Sequence, residues 1–122
     1  MDVDEFDSLV DAAWNELPQT FRDKLENVEI VVEEYADAHT LRMARVRNPM
    51  NLLGFYHGVP LPERGAGYSL VAPDKISLYR IPIAAGCRTT SDLRDLITRV
   101  LRHEIAHHFG ISDARLREIG AY

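Results

Sequence analysis

The stretch that most constrains this chain is H-E-I-A-H-H-F-G-I-S-D at residues 103–113. On an α-helix, side chains four residues apart lie on one face, so His103 and His107 can offer two imidazole nitrogens to one metal ion. The carboxylate of Glu104 leaves the helix on the same side, where it can accept a proton from a water held at an open metal position. The motif therefore predicts two metal ligands and one general base.

Gly110 predicts the end of this helix, because glycine enters the left-handed conformation without a steric penalty from Cβ. The chain can then turn back far enough for Asp113 to reach the ion as a third ligand. Three protein ligands and one open position are typical of catalytic zinc. A second interpretation of Asp113 stays open, because an aspartate at this place is also a good N-cap for a helix over residues 113–119.

Three segments of the chain carry a resemblance to a known family. They are L-L-G-F-Y-H-G-V-P-L at 52–61, D-K-I-S-L-Y-R-I-P-I at 74–83 and H-E-I-A-H-H-F-G-I-S-D-A-R-L at 103–116. Together they resemble the small bacterial zincin-like metallopeptidases, which have a minimal zincin fold. The pattern H-E-x-x-H-x-x-G-x-x-D also resembles the metzincin-type signature, with aspartate where many members carry a third histidine.

The resemblance implies that His103, His107 and Asp113 are the zinc ligands and that Glu104 is the general base. Nine residues follow Asp113. From this length we expect neither the methionine-containing turn nor the C-terminal subdomain that closes the active sites of larger metzincins.

Two functions agree with these residues. The first is a zinc-dependent peptidase that hydrolyses peptides or unfolded proteins with a metal-activated water and Glu104 as the base. The second is a zinc-containing module that binds a protein or peptide with weak or no hydrolysis. The expected lack of a C-terminal subdomain favours the second, whereas the presence of Glu104 favours the first, since a structural zinc site has no use for a carboxylate aimed at it. Four tyrosines are equal candidates for stabilising the oxyanion: Tyr56, Tyr68, Tyr79 and Tyr122.

Composition limits the alternatives. With 122 residues, the chain is predicted to form one domain over residues 1–122. The formal net charge of −5 argues against a nucleic-acid surface, and no apolar run is long enough to span a membrane. The start of the chain lacks the pattern of a signal peptide, and the single cysteine, Cys87, is interpreted as a partly buried residue in a reducing compartment. We therefore expect a cytoplasmic protein, and nothing in the sequence indicates an oligomeric state.

Hydrophobic periodicity predicts an α+β fold in which N-terminal helices and a long C-terminal motif helix pack on a small mixed sheet of three or four strands. The predicted helices are 5–16, 19–25 and one that starts near Ser91, with Thr90 or Ser91 as N-cap and with Asp92 and Asp95 in its first turn. The predicted strands are 28–33, 52–57 and 76–81. Residues 34–51 are interpreted as a helical or loosely ordered connection that ends before Asn48-Pro49, and 62–73 as a loop. The alternation in 76–81 predicts a half-exposed strand, and Pro82 places it at a sheet edge, where it could hold an extended peptide.

The other histidines are not predicted to bind metal. His39 and His57 have no partner at ligand spacing. His108 points about 100° away from His107 around the helix, so it is predicted to support the ligands from behind or to be exposed.

Overall fold

The computed structural model describes residues 2–25, 27–58, 74–112 and 114–115. Within these residues the chain forms five α-helices, three β-strands and a short 3₁₀ turn. In chain order they are α1 (Val3–Asn15), α2 (Gln19–Asp23), β1 (Val28–Glu33), α3 (Ala38–Ala44), the 3₁₀ turn (Pro49–Asn51), β2 (Gly54–His57), β3 (Asp74–Tyr79), α4 (Arg80–Ala85) and α5 (Thr90–His108). The predicted α+β class, with the motif helix packed on a small mixed sheet, is confirmed.

The sheet has the strand order β1-β3-β2. β1 runs parallel to β3, with Val28 opposite Asp74, and β2 runs antiparallel to β3, with Gly54 opposite Leu78. Ile76 and Leu78 of the central strand are fully buried in the same apolar core as residues of α1 and α5. α5 therefore covers one face of the sheet, and α1 packs against α5.

The N-terminal helix α1 is amphipathic, as its sequence predicts. Asp2 caps it by accepting a hydrogen bond from the backbone N–H of Asp4 at 3.1 Å, and Phe6, Val10 and Ala13 bury one stripe. α1 packs against α5, so residues near the two ends of the described chain share one core.

The prediction of a half-exposed edge strand over 76–81 is wrong. β3 ends at Tyr79 and lies between β1 and β2, and its residues from Ile76 to Tyr79 are all buried. Ser77 can be buried because its hydroxyl donates a hydrogen bond to Glu33 Oε1 at 3.0 Å on the neighbouring strand. Pro82 lies in the first turn of α4, where a helix tolerates the missing N–H.

The connection over 34–51, for which the sequence left a helical and a loosely ordered form open, contains a helix. Asp37 caps α3 by accepting a hydrogen bond from the Thr40 N–H at 2.7 Å, and Arg45 ends the helix in the left-handed conformation with φ 59°. Asn48 then caps the 3₁₀ turn by accepting from the N–H of Met50. The apolar residues of this stretch indicated a helical or loosely ordered connection, and the structure gives the helix its bounds.

The motif helix α5 begins slightly earlier than predicted. Its N-cap is Thr89, whose Oγ1 accepts a hydrogen bond from the N–H of Asp92 at 3.0 Å. Asp92 is in the first turn as predicted, and Asp95 lies beyond it. Its buried stripe includes Leu93, Ile97 and Leu101, all fully enclosed. No helix among the described residues is both long and apolar enough to cross a membrane.

Candidate metal centre

His103 and His107 stand one turn apart near the end of α5, and their ring centroids are 4.7 Å from each other. Both side chains are half-buried, whereas Glu104 between them is only 7% exposed. The potential donor atoms of these three residues all lie within 4.8 Å of one another. Two imidazoles and a carboxylate at this separation are a donor set that suits zinc.

Glu104 is fixed by contacts on two sides. One carboxylate oxygen, Oε1, lies 3.2 Å from Nδ1 of His107, close enough for a hydrogen bond that orients the imidazole ring. The stem of Glu104 packs under β2 at Gly54. The carboxylate is therefore held at the histidine pair rather than extended into solvent.

Gly54 allows β2 to cross α5 at this close distance. A Cβ atom at this position would lie 2.8 Å from Cγ1 of Val100, 3.1 Å from the Ser77 carbonyl oxygen and 3.4 Å from Cγ of Glu104. The first of these distances is shorter than real carbon contacts allow. A glycine is thus required where the sheet meets the helix that carries the candidate base.

A cleft with a volume of about 650 Å³ opens beside the histidine pair. One wall is α5, another is β2, and a third is the segment that joins α3 to β2. The residues that line it are Ala44, Val46, Asn51, Leu52, Leu53, Gly54, Phe55, Tyr56, Arg99, Val100, His103, Glu104 and His107. The cleft therefore joins the candidate metal ligands to the outer edge of β2.

The helix ends at the predicted glycine. Gly110 has φ 82°, in the left-handed region, and its N–H donates to the carbonyl of His107 at 2.9 Å. The N–H of Ile111 donates to the carbonyl of Ala106, also at 2.9 Å. These two bonds form a Schellman motif, which turns the chain sharply at the end of α5.

Asp113, the third predicted ligand, lies outside the described residues, and so do residues 116–119 of the predicted final helix. The neighbouring Ser112 is described, and its Oγ accepts a hydrogen bond from the N–H of Arg115 at 3.2 Å. Ser112 thus has the bonding of an N-cap for the turn that follows. Ser112 is therefore a candidate for the capping role that the sequence analysis left open for Asp113.

His108 is buried, so the prediction that it could be exposed is wrong. Only 1% of the residue is accessible, and its Nδ1 lies 3.0 Å from Oδ2 of Asp74 and 3.3 Å from the hydroxyl of Tyr56. The Tyr56 hydroxyl donates to the same carboxylate oxygen at 2.7 Å. This cluster ties the last turn of α5 to the start of β3 and to β2.

His57 lies among side chains of β1 and β3, outside the candidate donor group. Its Nε2 is 3.3 Å from the hydroxyl of Ser77, and burial, followed by the positive charge of Lys75, lowers the pKa of His57 below its usual value. Among the described residues, the group that could hold a metal consists of His103, Glu104 and His107, without His39 or His57.

The tyrosine candidates for the oxyanion role separate clearly. Tyr79 is 1% exposed, burial raises its pKa, and it is not among the residues that line the cleft. Tyr56 lines the cleft, but its hydroxyl donates to Asp74. Tyr68 and Tyr122 lie outside the described residues.

Sequence reasoning missed Asp74 and Gly54. Asp74 gives no local signal, since its histidine partner is 34 positions away. Gly54 does give one, because an isolated glycine in a strand often marks a close approach of another element.

A family model described as "Zincin-like metallopeptidase" matches residues 25–121, a range that includes β1, β2, β3 and α5. No curated protein matches the chain.

Proposed function

We propose that this chain, which belongs to the zincin-like metallopeptidase family, is a zinc-dependent peptidase. The observation that carries the proposal is the clustering of His103, Glu104 and His107 at one end of a cleft that also borders a strand edge. A metal-binding group and a surface for an extended chain are the two parts that metal-assisted peptide hydrolysis requires.

His103 and His107 would hold the zinc ion together with Asp113. Support for Asp113 comes from its spacing after Gly110, where the Schellman motif turns the chain back, and from Ser112, which serves the following turn as a cap. Zinc at such a site supplies Lewis acidity, which lowers the pKa of water and polarises a carbonyl group.

Glu104 would act as the general base. Its carboxylate would accept the proton of the attacking water and then return that proton to the nitrogen of the leaving amine. The packing of Glu104 under Gly54 supports this role, because a side chain already held in position loses little conformational freedom in the reaction.

The substrate would be a peptide or an unfolded segment of a protein, bound along β2. Among the described strands, β2 pairs with β3 on one side only, and Gly54, Phe55 and Tyr56 of β2 line the cleft. An extended chain can add to such an edge through backbone hydrogen bonds. The sequence analysis expected the peptide-binding edge at residues 76–81, and in this proposal the edge of β2 takes that role.

One observation favours the second function, a zinc-containing binding module without hydrolysis. The Glu104 carboxylate lies within the same 4.8 Å group as the two imidazoles, so it has the reach to be a ligand rather than a base. A carboxylate that occupies the open position would leave none for water.

Glu104→Gln tests the proposal and separates the two functions. If Glu104 is the base, the variant keeps the wild-type zinc stoichiometry by elemental analysis and loses peptide hydrolysis by at least about 100-fold. Glu16→Gln, at an exposed glutamate that caps the C-terminus of α1, is the matched control and should change neither property. Hydrolysis at the wild-type rate in Glu104→Gln would refute the role of base, and loss of zinc would favour the binding module.

We also infer a cytoplasmic location. Cys87, the single cysteine of the chain, is free and half-buried, which suits a reducing compartment. Recovery of the protein in the cytoplasmic fraction of its source cells is the expected result.

A further inference from the structure

A second cavity, with a volume of about 710 Å³, lies at the opposite edge of the sheet from the cleft. One wall is a face of α1 and the other is the whole of β1. The residues that line it are Val3, Asp7, Val10, Asp11, Trp14, Val28, Glu29, Ile30, Val31, Val32, Glu33, Glu34 and Arg80. We refer to it as the β1 groove.

The floor of the β1 groove includes a strand edge. β1 pairs with β3, and no other strand in the described part of the chain pairs with its second side. The carbonyl of Asn27 accepts a hydrogen bond from the N–H of Asp74, so the backbone groups of the odd-numbered residues of β1 point toward β3. Because peptide groups alternate sides in a strand, the backbone groups of Val28, Ile30 and Val32 face the groove.

This edge lacks three features that commonly protect an edge strand from pairing. Natural edge strands are commonly blunted by lysine, proline or a bulge, yet β1 reads V-E-I-V-V-E and pairs in unbroken register with β3. The groove is also partly apolar, since Val3 is exposed and Trp14 is half-buried beside it. The β1 groove therefore has the backbone and the side chains needed to receive an extended segment.

The charge of the groove is strongly negative. Five carboxylates line it: Asp7, Asp11, Glu29, Glu33 and Glu34. Arg80 bonds to Glu34 at 3.5 Å and Lys75 reaches Glu33 at 3.7 Å. The other three have no ion-pair partner among the described residues, and Asp7 and Asp11 repel each other across one turn of α1.

We propose that the β1 groove binds an extended basic segment of a partner protein, which adds to β1 as a fourth strand. Lysine or arginine side chains of that segment would face the unpaired carboxylates, and its apolar residues would cover the valines and Trp14. A second copy of this chain is disfavoured, because it would bring the same carboxylates and a net charge of −5 to the contact. The proposal is independent of the proposed peptidase activity, since the groove and the cleft use opposite edges of the sheet.

Trp14 provides the test, because it is the only tryptophan in the chain and it lines the groove. The probe is the synthetic peptide acetyl-KVKVKVK-amide, titrated while tryptophan emission is recorded. We expect a saturable change in emission, with an affinity that falls severalfold when the salt concentration rises from about 0.05 M to about 0.5 M. The acidic peptide acetyl-EVEVEVE-amide should give no change.

Two modifications separate strand addition from simple charge attraction. A KVKVKVK peptide that is N-methylated at every residue keeps its charge but cannot donate backbone hydrogen bonds, so it should bind at least about tenfold more weakly. The double variant Asp7→Asn/Asp11→Asn should bind the parent peptide roughly fivefold more weakly. Asp95→Asn, at an exposed aspartate on α5, is the matched control and should bind like wild type.

The results that would overturn the proposal are equally specific. They are no response of Trp14 to the basic peptide at about 1 mM, equal binding of the methylated peptide, or unchanged binding by the double variant. A dimer formed through β1 without peptide, detected by sedimentation, would assign the edge to a second copy instead. Because the groove does not use the cleft, Glu104→Gln protein should give the same titration curve as wild type, whatever happens to hydrolysis.

Discussion

Gly54→Ala is the substitution for which the structure gives the most direct expectation. The added methyl group would lie 2.8 Å from Cγ1 of Val100 and 3.1 Å from the backbone oxygen of Ser77, so β2 and α5 must move apart by several tenths of an ångström. Overpacking of this kind costs about 1–3 kcal/mol. Alanine also restricts the unfolded chain, which returns about 0.4–1 kcal/mol. We expect a net loss of about 1–2 kcal/mol in the free energy of unfolding.

Urea and thermal unfolding measure this loss directly. For a chain of this size, the midpoint of thermal unfolding should fall by roughly 4–8 °C. The same displacement moves Glu104, whose Cγ lies 3.4 Å from the new methyl group, away from the histidine pair. Peptide hydrolysis should therefore fall by about tenfold, because catalysis is sensitive to small errors in the position of the base.

Gly86→Ala is the matched control. Gly86 ends α4 with φ −89°, and the nearest atom to a Cβ there is the Ile83 carbonyl oxygen at 3.9 Å, so the substitution should be neutral or slightly stabilising. A second test adds Val100→Ala to Gly54→Ala, which removes the closest contact and should give a favourable coupling energy of about 1 kcal/mol. If Gly54→Ala is as stable and as active as Gly86→Ala, the close crossing of β2 over α5 does not position Glu104.

Three further predictions concern the ligand set, a buried pair and pH. Asp113→Ser should weaken zinc affinity at least about tenfold in chelator competition. Ser112→Ala should instead lower the unfolding free energy by about 1 kcal/mol and leave zinc affinity unchanged. Wild-type zinc affinity in Asp113→Ser would remove Asp113 from the ligand set. Asp74→Ala should lower the unfolding free energy, measured in urea, by about 3 kcal/mol, because the buried imidazole of His108 loses its carboxylate partner. Lys75→Ala, at the neighbouring exposed ion pair, should change that energy by less than about 1 kcal/mol. Similar effects of the two substitutions would contradict the importance of the Asp74–His108 pair. In the folded protein, burial lowers the pKa of His57 below its ordinary value of 6.5. As the pH falls below about 6.5, the unfolded chain therefore binds a proton at His57 more readily than the folded protein does. The contribution of neutral His57 to the free energy of unfolding is complete above about pH 6.5 and is lost as the pH falls toward the folded pKa. The difference in unfolding free energy between about pH 7.5 and pH 5.5 should therefore be smaller in His57→Gln than in wild type, and equal differences would refute this assignment.

Features that depend on neighbours in sequence were predictable. The pairing of His103 with His107 follows from helical spacing, and the end of α5 at Gly110 follows from the left-handed conformation that glycine permits. The amphipathic stripe of α1 is equally local. In each case the deciding interactions lie within one or two helical turns.

Features that depend on distant partners were not predictable. Ser77 looked like the exposed residue of an alternating strand, yet a carboxylate 44 positions away allows it to be buried. Asp74 and His108 likewise need each other to be buried, and a spacing of 34 residues carries no periodic signal. The sequence could therefore give the presence of β3, while its central place in the sheet depended on partners that only the folded chain brings together.

The packing of α1 on α5 has a consequence for how the site comes into existence. The two helices are separated by most of the chain, and the central strand of the sheet pairs with a strand some 46 positions earlier. Contacts of such long sequence separation form slowly, because the loops between them must close first. The three strands of the sheet all precede α5 in the chain, but the core that α1 shares with α5 cannot be completed until α5 has formed. The histidine pair should therefore become able to take up metal only after α1, the sheet and α5 have come together.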